Sequence, residues 1–330
     1  MGANQILVEH RYFGESLPDS IDYSYLKAEQ EAEDLHKINL LFKEIYKGKW
    51  LSTGVSKGGQ NTIYYRYFYP GDVDVSVPYV APVNLSKEDE RIYSFLKDAG
   101  TEECREKIKN FQISMLKNRE KVLPLLKWYS LGAKLSYNYL SIEESYEYAV
   151  LEYSFSFWQW GHDCSEIPSG KVSIDSMTRH LLSVSNIDFF SDGDINTYKG
   201  HYYQCAAELG YYGYNTDDFK PYLKALPSKP NPSAIFTPDK MDVKYNPELS
   251  GKVYEWATSK GNNMIYIYGG NDTWSATNIP PSPVPGALWF KLEGKNHGTA
   301  RIKYMSSEEK KILVSTLETW LNMDIDDKFL

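Results

Sequence analysis

The sequence has no Cys-x-x-Cys pair, no long basic run, and no apolar run close to the roughly 18 residues that cross a bilayer. Each absence removes a class of function. With only Cys104, Cys164 and Cys205 present, neither a zinc site nor a dithiol redox motif is indicated, and at most one internal disulfide forms, leaving a thiol over. A net charge of −8 without a basic stripe argues against a nucleic-acid groove and against an anionic membrane surface, and favours neutral or cationic substrates. No charged, apolar and small-residue signal pattern opens the chain, and no internal repeat or low-complexity tract interrupts it, so it reads as soluble. What is abundant is aromatic: 28 tyrosines and 8 tryptophans, enough to line a pocket for rings or peptide while most of them simply pack. At 330 residues the chain is long enough for one large domain, or a core plus an insertion.

The chain is organised around residues 50–59, WLSTGVSKGG, where an apolar run ends in Gly54-x-Ser56-x-Gly58-Gly59 and a helix-compatible stretch follows. This is the pattern of a nucleophile elbow, a strained strand-to-helix turn that lifts a serine hydroxyl clear of the backbone. Gly54 and Gly58 keep side chains out of the turn, and Gly59 leaves room for helix against sheet. The backbone N–H of Lys57, at the helix start, then points toward a developing oxyanion.

Taken in order, residues 5–12 (QILVEHRY) predict a central strand, residues 22–47 an amphipathic helix stopped at Gly48, 50–53 a strand, 57–69 a helix ended by Pro70, and 72–83 another strand. Alternating strands and helices are the signature of a doubly wound parallel sheet with ligands at the strands' carboxyl ends. From residue 87 to about 225 the composition shifts to charged helical segments, around 91–126 and 142–153, and then to aromatic loops. Residues 155–161 (FSFWQWG) are too aromatic and glycine-punctuated for a plain helix face, and predict a cap over the site or a buried knot. Proline-rich 227–238 serves as a stiff return to the core. A helix over 248–260, strands at 264–268 and 287–292, and a helix over 306–321 that opens with a Ser306/Glu309 capping box complete the chain. The expected fold class is α/β, with a hydrolase core over 1–86 and 227–330 and a mostly helical cap over 87–226.

Asp272 and His297 each sit in a turn just after a late apolar strand and follow Ser56 in the order Ser, Asp, His, which is the α/β-hydrolase order. His297 would relay the Ser56 proton while Asp272 fixes its tautomer; Gly294 and Gly298 let the histidine loop reach the elbow. The other histidines, His10, His36, His162, His180 and His201, have no such placement and are assigned to surface or packing roles.

Four ordered motifs, Glu9-His-Arg-Tyr-Phe-Gly-Glu-Ser16, the elbow, Gly269-Gly-Asn-Asp-Thr-Trp274 and Gly-Lys-Asn-His297-Gly, together with the cap stretch FSFWQW, resemble the secreted prolyl tripeptidyl aminopeptidases. These are serine peptidases related to the lysosomal Pro-X carboxypeptidases and dipeptidyl peptidase II. The resemblance implies a Ser56, Asp272, His297 triad without metal or cofactor, a secreted or periplasmic location, and release of short peptides from a free N-terminus with proline before the cut. Trp158, Trp160 and Trp274 are the candidates for a proline-stacking pocket, and Glu152, Asp163 and Glu166 for the acid that meets the substrate amine. Arg11 and Glu15 are expected to pair across the turn after the first strand. Elbow and triad do not choose between ester and amide, so an acyl hydrolase is the competing reading. In α/β-hydrolases the strand carrying the Glu-His-Arg-Tyr motif is preceded by others, so an N-terminally shortened, catalytically silent copy is a second alternative. A gap between 6–10 and 50–53, or another segment filling it, is expected in the fold.

Overall fold

The computed structural model describes residues 3–226 and 231–326. Its centre is a parallel sheet of β1 (Leu51–Val55), β2 (Val75–Tyr79), β3 (Met264–Gly269) and β4 (Ala287–Leu292), hydrogen-bonded in that order. Register runs from Leu51 opposite Val75 to Val55 opposite Tyr79, and from Met264 opposite Ala287 to Gly269 opposite Leu292, so all four strands finish along one edge. Every residue of β3 is buried, as a parallel strand covered on both faces requires. Its side chains alternate between two cores. Ile265 and Ile267 meet Leu313, Leu317 and Leu321 on one face, whereas Met264, Tyr266 and Tyr268 join the larger cluster with Ile63, Tyr64, Val253 and Ala257 on the other.

Helices supply those covers. α1 (Ala28–Lys43) lies against α2 (Lys57–Phe68), the helix that opens directly from β1. Between β2 and β3 come α3 (Glu90–Asp98), α4 (Glu102–Lys117), α5 (Arg119–Ala133), α6 (Ile142–Trp160), α7 (Ile174–Val184), α8 (Asp192–Gln204), the short α9 (Pro232–Ile235) and α10 (Glu248–Ser259). α11 (Ser307–Leu321) follows β4, and its Ser306 hydroxyl and Glu309 carboxylate form the capping box expected at its start. Cys104 and Cys164 are joined by a disulfide that ties α4 to the loop after α6, and Cys205 remains free and buried. Of the proline-rich return at 227–238, residues 227–230 lie outside the described residues.

Three expectations are corrected. Residues 3–10 form no strand, and Leu7 is 90 % exposed. A strand needs a ladder partner, and among the described residues β1 pairs only with β2; the anticipated gap therefore has no strand on its far side. The following turn is held by Arg11, but through Asp34 on α1, at 2.6 and 2.7 Å, and not through Glu15. Finally, 155–161 does continue a helix, against the expectation that it is too aromatic for one: α6 runs unbroken to Trp160, with Phe155, Phe157 and Trp158 buried, and stops at Gly161, whose φ of 71° suits the left-handed C-cap. Nearly every residue of α6 from 145 to 158 is buried, Glu147 and Glu152 among them, so the helix is covered on every side and shows no amphipathic period.

Candidate active site

Ser56 occupies the turn between β1 and α2 with φ 56° and ψ −119°, a conformation strained for a residue with a side chain. Flanking bonds hold it there: its N–H donates to the Tyr79 carbonyl at 2.9 Å, and its carbonyl accepts from Gln60 N–H at 2.8 Å. The glycines explain how such a turn is reached. A Cβ on Gly54 would be driven into the Gly58 carbonyl, and one on Gly59 would lie 2.7 Å from the Tyr79 oxygen. Lys57 is the first residue of α2, so its N–H has no preceding helical carbonyl to bond and lies at the positive end of the helix dipole. Its ammonium points elsewhere, to Glu31 Oε2 and Asn61 Oδ1, both at 2.7 Å. Glu31 is 1 % exposed, which makes this a buried tether between the elbow and α1.

Asp272 and His297 follow β3 and β4 at the same sheet edge. Asp272 Oδ2 is 2.8 Å from His297 Nδ1, and both residues are buried. The second carboxylate oxygen accepts from Trp274 N–H, so the acid is oriented on both sides and the imidazole Nε2 is the nitrogen left for chemistry. The two loops are stitched together and to α6. Asn271 N–H donates to the Lys295 carbonyl, His297 N–H to the Gln159 carbonyl at 2.9 Å, and Asn296 Nδ2 to the Trp160 carbonyl at 2.7 Å. The Trp160 indole stands edge-on to the His297 ring, centroids 5.7 Å apart.

A cavity of about 20 Å³ lies beside Ser56, walled by Lys57, Gln60, Pro82, Asn84 and Trp274 from around the sheet edge and by His201, Cys205, Gly210 and Tyr211 from the opposite side. Trp274 thus links Ser56 to the Asp272–His297 pair: it lines the cavity two residues beyond Asp272.

Residues 1–317 match the family model described as PS-10 peptidase S37. The chain is also 30 % identical over 324 residues to the prolyl tri/tetrapeptidyl aminopeptidase of Streptomyces mobaraensis, an alignment that covers 96 % of this chain and 67 % of that protein. The chain belongs to the S37 peptidase family. Family membership selects peptidase over acyl hydrolase, the choice that elbow and triad had left open.

The remaining candidates in this S37 peptidase fall in different places. Trp158 is buried against Phe157 and Gly100 and does not wall the cavity, whereas Trp160 is half exposed beside His297. Glu152 is buried on α6, where Ser156, Tyr212 and Tyr214 hydroxyls all donate to it, at 2.8, 2.8 and 2.6 Å. Desolvation outweighs those bonds and pushes its carboxyl up to about 7. Asp163 and Glu166 are exposed, and Asp163 is engaged by Ser165. His201, read from the sequence as a packing residue, lines the cavity. Partly buried, it lies 3.5 Å from the Cys205 sulfur, and desolvation, with the Lys57 charge adding to it, pushes its imidazole down to about 3. No local pattern marks His201 or Asn84, because what brings them to Ser56 is tertiary packing, whereas Gln60 stands one helical turn after the elbow on α2.

Proposed function

We propose that this chain is a serine peptidase that releases short peptides from free N-termini and favours proline before the scissile bond, with Ser56, His297 and Asp272 as its catalytic residues. One observation carries the assignment of roles: a strained serine and a buried, doubly oriented Asp–His pair stand at one edge of one parallel sheet. Ser56 Oγ attacks the carbonyl carbon as His297 Nε2 takes its proton, and Asp272 stabilises the imidazolium. Lys57 N–H stabilises the oxyanion. Collapse breaks the C–N bond, and His297 delivers the proton to the leaving amine. Water, deprotonated in turn by His297, then frees the acyl peptide as a carboxylate and restores Ser56.

The substrate preference draws on the named relative and on the aromatic wall of Trp274 and Tyr211, a surface on which a pyrrolidine ring stacks. Selectivity for a peptide with a free amine, no role for nucleic acid, and core and cap boundaries at 86 and 226 belong to the same reading. So does a secreted or periplasmic location, supported by the Cys104–Cys164 disulfide; among the described residues no helix is long and apolar enough to cross a membrane. The test is cleavage of Xaa-Xaa-Pro anilides. Efficient turnover of the free-amine substrate, at least tenfold loss on acetylating it, and loss of all turnover in Ser56→Ala are expected. Equal turnover of blocked and free substrates would remove the aminopeptidase assignment, and short acyl esters outpacing every peptide would remove the peptidase one.

A further inference from the structure

Asn84, one of the residues that line the cavity beside Ser56, has a side chain whose bonding is incomplete. Asn84 is 2 % exposed, and its side-chain nitrogen donates to the carbonyls of Leu209 and Gly210, at 3.3 and 3.0 Å. Both neighbours are acceptors only, so the amide has one chemically sensible orientation. That orientation leaves Oδ1 buried without a hydrogen-bond partner. The clamp is built by unusual backbone. Residues Cys205–Leu209 form a wide turn closed by Gly210 N–H to the Cys205 carbonyl, and Gly210 has φ 68°. A Cβ at Gly210 would collide with the Ser86 carbonyl and approach Asn84 Cβ to 2.9 Å, so only glycine brings these carbonyls onto Asn84.

A buried acceptor left unpaired is costly, and this one belongs to a residue that lines the space beside Ser56. We propose that Asn84 reads a backbone N–H of the bound peptide immediately beside the scissile bond; the inference rests on the peptidase reading above. The guest is a small donor group, because about 20 Å³ accommodates little more than one water-sized group. It is neutral, because the wall offers no carboxylate. Ser56, Gln60, Asn84 and Tyr211 are uncharged, the Cys205 thiol is pushed up and stays protonated, His201 stays neutral, and the Lys57 ammonium is paired with Glu31 outside the wall. An N-terminal ammonium is therefore read elsewhere. Proline carries no N–H, so with proline before the cut the donor is either the residue preceding proline or the leaving amide.

The experiment removes each N–H in turn from a good peptide substrate, by a backbone ester at the residue before proline and by N-methylation of the leaving amide. The value of kcat/KM is then compared in wild type, Asn84→Leu and Asn84→Ala. One deletion is expected to cost wild type at least tenfold and both variants less than threefold. Each penalty is a ratio within one enzyme, so a reduced folded fraction does not alter it. Wild type tolerating both deletions within threefold overturns the proposal without any variant, as does an equal penalty in all three enzymes. Failure of wild type to cleave the parent peptide overturns the peptidase reading and this one with it.

Discussion

The two sides of the sheet's carboxyl edge are built on opposite principles. On the core side, loops 269–274 and 292–299 leave little unpaired: both Asp272 oxygens are used, His297 is held at ring and backbone, and Asn296 Oδ1 takes three donors from Gly298 and Thr299. Toward the cap, Tyr202 Oη and both amide atoms of Gln204 are buried without partners, and Asn84, whose Nδ2 is held by the cap's wide turn, keeps Oδ1 unpaired. The loops that carry Asp272 and His297 are over-determined by hydrogen bonds, whereas the packing around and behind the cavity retains unspent polar groups, of which only Asn84 belongs to the cavity wall.

The largest effect should come from breaking the over-determined side. Asp272→Asn removes the acceptor that sets the His297 tautomer, and kcat/KM is expected to fall about 10⁴-fold with little change in Tm; a loss under tenfold would mean that the pair is structural. Next is the tether. Lys57→Met leaves the buried Glu31 carboxylate unpaired, costing on the order of 3 kcal/mol of stability in denaturant unfolding, and Glu31→Gln in the same chain should return much of it. Without that rescue, the ion pair is not what Lys57 contributes.

Two desolvated titratable groups of the cap, His201 and Glu152, sharpen the comparison through pH. His201, held near 3 in the fold against 6.5 when unfolded, binds fewer protons folded than unfolded across that window. Its contribution therefore rises with pH and is lost on acidification, by up to about 1.4 kcal/mol per pH unit. Glu152, near 7 in the fold against 4.5 unfolded, holds its proton when folded, so its contribution falls as pH rises from 4.5 to 7. The two oppose each other between 4.5 and 6.5. His201→Gln should flatten the acid limb below 4.5, and Glu152→Gln should make stability rise throughout the range from 3 to 6.5; urea midpoints at half-unit pH steps distinguish these. The smallest effect is at the seam between the sides. Trp160→Ala removes an edge-on ring contact with His297 worth about 1 kcal/mol, and a few-fold loss in kcat with stability nearly unchanged is expected.

Much of the core was legible because its determinants are local. Glycines bracket the turn at Ser56, the Met264–Gly269 run is long enough in apolar residues to be buried on both faces, and Ser306 with Glu309 announces α11. Ser56, Asp272 and His297 were picked out the same way, each directly after a strand, and Asp272 and His297 do meet. What local sequence could not carry depends on partners distant in the chain. Residues 5–12 have strand composition, but composition does not supply a ladder. The partner of Arg11 is 23 positions away, on the face of α1. α6 lost its period because the cap buries it on every side, and Asn84 acquired its role only when Gly210, 126 residues later, closed over it.

The most direct test of the central claim, that Ser56 is made nucleophilic by His297 and Asp272, is labelling with a fluorophosphonate followed by peptide mapping. The account predicts one label per chain, on Ser56, abolished in Ser56→Ala and reduced at least a hundredfold in rate in His297→Ala. Labelling of the Ser56→Ala protein at the wild-type rate, or an unlabelled wild type that nonetheless cleaves peptides, would contradict it.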